Sequence, residues 1–254
     1  MNIFGNFHKT SPIDSTQKSA QNSQQKRTLP APPISSLTPP RLPPPHTIKA
    51  VDIIRRTMRL DPAEVLTGYR QGIFPMAYSN WPFFTWHDPP RRAVLPLDRF
   101  HISRSLARTL AQARFQVTFD QAFVAVMRAC ATRGTDRPAS TWITEPLIKA
   151  YHALHQAGHA HSVEVWVDGQ LVGGTYGIHL GAAFFAESKF HAQRDMSKVA
   201  LASLVHHLQR QNFALLDVQY LTPHLAKFGV TEIPRAEYQA QLAAAIAQPR
   251  SFCS

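Results

Sequence analysis

A chain of 254 residues, 44% of them hydrophobic, is long enough to bury a sizeable core in one domain or two, and its 27 lysines and arginines against 16 acids leave a formal charge of +11. That surplus favours polyanionic partners, nucleic acid first and an acidic membrane surface second. The only two cysteines, Cys130 and Cys253, exclude a disulfide framework and argue against a cysteine metal cluster, which fits a reducing compartment, and no apolar run reaches bilayer-spanning length.

Residues 1–47 are rich in Ser, Gln, Asn and Pro, and their run LPAPPISSLTPPRLPPPH has no periodic apolar face. Such a segment buries too little to offset its ordering entropy and is expected to be a disordered extension. From Val51 the texture changes. Asp61-Pro62 opens a short helix carrying Val65, Leu66 and Tyr69 and ending near Gly72, and GIFPMAYSNWPFFTWHDPPRRAVLPLD then mixes aromatics with prolines. We expect a small aromatic-rich domain with short strands over 48–98, its Trp81, Phe83, Phe84 and Trp86 mostly core.

The rest, 99–254, reads as a second domain. Residues 100–113 predict a helix with Arg104 and Arg108 one turn apart, a basic strip suited to phosphates or to plain solvation. A strand over 115–119 follows, with Asp120 as the expected cap of a helix over 121–131. After a loop of Gly, Thr, Asp and Pro comes TWIT, then a helix from Glu145 with Leu147, Tyr151 and Leu154 on one face and Gly158 as its stop. A meander is expected next: strands over 162–167 and 171–179 joined by the hairpin signal Asp168-Gly169, then a strand over 182–187 ending in Glu187.

Leu201, Leu204, Val205 and Leu208 then recur at helical spacing, with Ser197 as a cap candidate, before a strand over 213–220. Within it Asp217 and Gln219 are two apart, so both side chains are expected on one face. Two polar groups among Leu, Leu and Val are either a satisfied core pair or a catalytic pair facing the Glu187 strand. A short helix over 223–228, a strand over 229–233 and a helix over 235–247 complete a mixed α+β order of elements.

That order resembles the acyltransferase fold of the GNAT superfamily, in which the third meander strand and the strand after the next helix splay into an acyl-donor cleft. The wording is more specific: YRQGIFPM, TWHDPPRRAVLPLDRFHISRSL, TWIT, GHAHSVEVW, LVGGTYG, AESKF, SKVAL, LLDVQY and EIPRAEY, in this order, resemble the leucyl/phenylalanyl-tRNA protein transferases over about 55–245. The resemblance implies a cytoplasmic, cofactor-free, monomeric enzyme that moves leucine or phenylalanine from aminoacyl-tRNA to proteins beginning with Arg or Lys, marking them for degradation. Carried onto this chain, it implies catalysis by Asp217 and Gln219 and reception of the cationic N-terminus by Glu187. Trp86, Trp142, Phe184, Thr175 and Leu204 are then expected at the aminoacyl and adenosine pocket, and Arg104, Arg108, Ser197 and Lys198 on the tRNA. The chain departs from the pattern in AESKFH, where the family reads GESMFS, in Thr175 for a larger apolar residue, and in Pro223 for an acid.

Two rival functions share some of these features. An acyltransferase using a coenzyme A donor normally has a glycine-rich pyrophosphate loop where this chain has KFHAQRDMSK, and a non-catalytic RNA-binding module would leave Glu187, Asp217 and Gln219 unexplained. His152, His155, His159 and His161 lack an acid at known zinc-motif spacing, so no metal is expected.

Overall fold

A computed structural model describes residues 53–77, 83–132 and 141–253. The extension over 1–47, Trp81 and the loop over 133–140 lie outside the described residues. The fold is α+β, with two sheets. Strands β1 (Ile53–Thr57), β2 (Phe74–Ala77) and β3 (Phe84–His87) form a three-stranded antiparallel sheet in the order β1-β3-β2. Helix α1 (Pro62–Arg70) precedes β2, and the Asp61 carboxylate accepts from the Ala63 and Glu64 amides to cap it, as the Asp-Pro pair predicts.

The larger sheet has seven strands. β4 (Arg91–Val94), β5 (Gln116–Phe119), β6 (Ala160–Val167), β7 (Gln170–Leu180), β8 (Ala183–His191), β9 (Leu215–Gln219) and β10 (Thr231–Pro234) run in the order β10-β4-β9-β8-β7-β6-β5. All neighbours are antiparallel except β8 and β9. The crossover joining that parallel pair is α5 (Met196–Arg210). Asp168 and Gly169 both take positive φ, the backbone a two-residue β6–β7 hairpin requires.

Helices α2 (Arg104–Gln112), α3 (Phe123–Thr132), α4 (Glu145–Gln156), α6 (Pro223–Ala226) and α7 (Arg235–Ile246) complete the chain. Two adjacent glycines of β7 show how helices cover both faces. A Cβ on Gly173 would lie 2.6 Å from the Met196 Cβ of α5, and one on Gly174 would lie 3.2 Å from the Val126 side chain of α3. Successive strand residues point to opposite faces, so α5 and α3 clasp the sheet from its two sides. The main core is on the α3 side, where Val126, Met127, Leu147, Tyr151 and Leu154 meet Tyr176 and Ile178.

Two caps differ from expectation. Asp120 does not start α3; its φ is +59° and its carboxylate turns to His161 and to the Ser162 amide, while Glu164 of β6 accepts from the Gln121 and Ala122 amides instead. A cap borrowed from a strand 42 residues away is invisible to local spacing. Ser197 lies inside α5, whose N-cap is Asp195.

Candidate active site

The parallel pair β8 and β9 pairs only at Ala183 with Leu215, Phe184 with Leu216 and Phe185 with Asp217. Beyond that register β8 runs on to His191 along β7, while β9 ends at Gln219. Gln219 has φ +60°, and the Tyr220 amide donates to the Val218 carbonyl at 2.8 Å, a γ-turn. A non-glycine residue held in this region is strained and needs its surroundings to fix it there. The strands part here, and a cleft of about 1150 Å³ opens between them.

Glu187 and Gln219 meet at the bottom of that cleft, with Gln219 Nε2 donating to Glu187 Oε1 at 3.2 Å. Asp217 lies behind them, fully buried. Its carboxylate accepts from Arg92 Nε at 3.0 Å to each oxygen, from Arg92 Nη2 at 2.8 Å, from the Tyr238 hydroxyl at 2.7 Å and from the Gln219 amide at 2.8 Å. Burial alone would lower the Arg92 pKa, but the adjacent Asp217 charge raises it, so the guanidinium stays charged. Its flat faces lie 4.5 Å from the Phe74 ring and 4.6 Å from the Tyr238 ring, and Nη1 donates to the Gly72 carbonyl. This is a desolvated ion pair in which each guanidinium nitrogen and both carboxylate oxygens are hydrogen-bonded, the condition under which such a pair is tolerated.

Glu187 is in a different state. Tyr69 of α1 donates to its Oε1 at 2.5 Å, and the Tyr69 and Tyr151 hydroxyls are 2.8 Å apart. Burial pushes the Glu187 carboxyl up to about 8; the Tyr69 hydrogen bond pulls it back and the Asp217 charge adds to the rise. Burial first, and Glu187 second, raise Tyr69 well above its ordinary value, so it stays a donor. His87 is pushed down to about 4 by burial and by Arg92, and so sits neutral beside Phe74 and Tyr220.

Of the residues singled out from sequence, the structure thus brings Asp217, Gln219 and Glu187 together. Trp142, Ser197 and Lys198 line the same cleft. Trp86 is elsewhere: fully buried, it packs on Gly68, and its indole N–H donates to Thr57 in the small sheet. Phe184 packs in the core against Phe252, Leu204 is buried in α5, and Thr175 donates to the Ser188 carbonyl. Arg104 and Arg108 are exposed on α2, which packs on α5.

Sequence reading gave no role to Arg92, Tyr238, Tyr69 or Tyr151. An arginine opening the apolar AVL run was the available signal for Arg92, since a cation entering a strand core needs an acid. The cleft wall is apolar at Phe74, Met76 and Trp142, while Lys189, His191, Lys198 and His224 bring basic groups to it. Burial and the nearby Lys189, Lys198 and Lys227 charges lower the His224 pKa.

A mixed sheet with one parallel pair among its described strands, parting beside an amide and a carboxyl beneath an apolar wall, has the layout of a GNAT-like fold. The family model described as leucyl/phenylalanyl-tRNA protein transferase matches residues 94–243, and that of its N-terminal domain matches 58–90; the chain belongs to this family. It is 51% identical over 198 residues to the leucyl/phenylalanyl-tRNA–protein transferase of Ruegeria pomeroyi, covering 78% of this chain and 92% of that one. The protein of the same name from Paramagnetospirillum magneticum is 51% identical, with 74% of this chain and 90% of that one covered. That from Herpetosiphon aurantiacus is 48% identical, with 77% and 100% covered.

Proposed function

We propose that this chain transfers leucine or phenylalanine from aminoacyl-tRNA to the N-terminal Arg or Lys of acceptor proteins, marking them for degradation, and that it does so at the parting of β8 and β9. The observation that carries this reading is the hydrogen bond between Gln219 Nε2 and Glu187 Oε1 at the bottom of the cleft. With its amide N–H committed to Glu187 and its backbone N–H to Asp217, Gln219 has its carbonyl oxygen left to accept an N–H of the attacking α-amine. Glu187, once ionised, is the counter-charge for the acceptor's cationic side chain.

The ester of an aminoacyl-tRNA is already activated, so orientation supplies much of the rate. The acceptor α-ammonium first loses a proton to water. The amine nitrogen then bonds to the ester carbonyl carbon, the bond to the ribose oxygen breaks, and a second amine proton ends on that oxygen. Phe74, Met76 and Trp142 offer the donor side chain an apolar wall, and the basic groups of the cleft, with Arg104 and Arg108 outside it, suit the tRNA phosphates. We read the chain as a monomer, and aminoacyl-tRNA as donor supports a cytoplasmic setting. Among the described residues no helix is long and apolar enough to cross a membrane.

A coenzyme A donor fits less well. The N-terminus of α5, where such enzymes hold the pyrophosphate, carries the Asp195 carboxylate, paired with Lys198 at 2.7 Å. The test is transfer of labelled leucine or phenylalanine from charged tRNA to a peptide beginning with Arg. Wild type should label the peptide, while Asp217→Ala and Glu187→Ala should not; labelling that persists in both variants would overturn the reading.

A further inference from the structure

At the β5–β6 end of the large sheet, three side chains that the transfer reaction does not use come together from remote points of the sequence. Asp120 follows β5, His161 belongs to β6, and Cys253 is in the C-terminal tail, 133 residues from Asp120. One ligand atom of each, a carboxylate oxygen, Nδ1 and Sγ, lies within 4.8 Å of the other two. His161 Nδ1 is 2.7 Å from Asp120 Oδ2, and Cys253 Sγ is 3.4 Å from that same oxygen.

The surroundings hold these atoms in place. His161 is 4% exposed, and its Nε2 lies 3.2 Å from the Gly158 carbonyl, to which it can only donate. Its other ring nitrogen, Nδ1, faces the Asp120 carboxylate at 2.7 Å. A backbone carbonyl on the second ring nitrogen is also the usual means of orienting a metal-bound histidine. The Ser162 amide fixes the other carboxylate oxygen at 2.8 Å. The tail is seated as well: the Phe252 ring lies 4.2 Å from the His161 ring, His207 Nε2 is 2.7 Å from the Phe252 carbonyl and His179 Nε2 is 3.0 Å from the Arg250 carbonyl.

We propose that Asp120, His161 and Cys253 bind a zinc ion, with water completing a tetrahedral set, and that the ion fastens the C-terminal tail to the β5–β6 edge of the sheet. Ligands about 2.0–2.3 Å from a tetrahedral zinc stand about 3.3–3.7 Å apart, so the acid and imidazole need to open slightly and the thiol sulfur to approach the imidazole, which the exposed Cys253 side chain permits. A thiolate, an imidazole and one carboxylate form a borderline donor set that favours zinc over magnesium or calcium. On binding, the thiol gives its proton to solvent. The site is far from motif spacing because its cysteine arrives through the fold.

The experiment is a titration of the full chain, without a histidine tag and stripped by chelation, with cobalt(II) as a spectroscopic stand-in and then with zinc. We expect one equivalent bound, a thiolate-to-cobalt charge-transfer absorption, and displacement of cobalt by zinc. Cys253→Ser, an exposed change that spares the fold, should remove the absorption and weaken zinc binding by about tenfold or more. Asp120→Asn, which keeps an acceptor for the Ser162 amide, should weaken it similarly. Absence of the absorption in wild type, or unchanged zinc affinity in Cys253→Ser, would overturn the proposal.

Discussion

Asp217 and Glu187 are neighbours on adjoining strands at one parting of a sheet, yet their surroundings are opposite. Asp217 is enclosed by a guanidinium, a phenol and a backbone amide, and every lone-pair direction has a donor. Glu187 has two neutral donors, Tyr69 and Gln219, and among the described residues no direct ion pair. The first carboxylate is complete without substrate. The second has only neutral donors in contact, and burial lifts its pKa to about 8. The proposed roles follow that difference, Asp217 fixing the geometry of Gln219 and Glu187 receiving the acceptor's cation.

The sharpest way to break this contrast is to remove the cation from the saturated acid. Arg92→Met leaves Asp217 buried and unpaired, so it should destabilise the protein by about 3–5 kcal/mol in urea unfolding, while Arg92→Met with Asp217→Leu should recover most of the loss. Next in size is Tyr238→Phe, which removes one hydrogen bond to a charged group and should cost about 1.5–3 kcal/mol in the same measurement.

The open acid should respond in the other direction. Its folded pKa is raised from an ordinary 4.5 to about 8, so its stabilising contribution is fully present below pH 4.5 and is lost as pH rises through 8. Glu187→Gln should therefore be more stable than wild type by about 1–2 kcal/mol at pH 9 and show no gain at pH 4, less than the full shift implies because the carboxyl opens on the cleft. The same group should release up to one proton when a peptide beginning with Arg binds at pH 7, read by calorimetry in buffers of different ionisation enthalpy. Smallest is Tyr151→Phe, which loses only the neutral bond to Tyr69 and should change stability by about 1 kcal/mol.

Much of this arrangement was legible before any coordinates. Asp217, Gln219 and Glu187 stood out because polar groups on apolar strands need a reason, and Asp61-Pro62 and Asp168-Gly169 announced their cap and hairpin through local backbone chemistry. What stayed hidden depends on distance along the chain. Arg92 reaches Asp217 across 125 residues, and Glu164 caps α3 from a strand reached only after another helix. Alternation also placed Gln219 on a regular pleat, whereas a γ-turn carries it into the cleft. Trp86 and Phe184, expected at the pocket, are fully buried, and an aromatic motif reports packing as readily as recognition.

The place of β4 between β9 and β10 bears on how the chain is made. β4 is synthesised long before either neighbour, so Arg92 has no Asp217 to pair with until residues 215–219 have been made. Its guanidinium then becomes part of the floor beneath Gln219 almost as the last helix arrives. The corner at Gln219 is thus assembled from segments 125 residues apart, and a chain cut short before β9 lacks both Asp217 and Gln219.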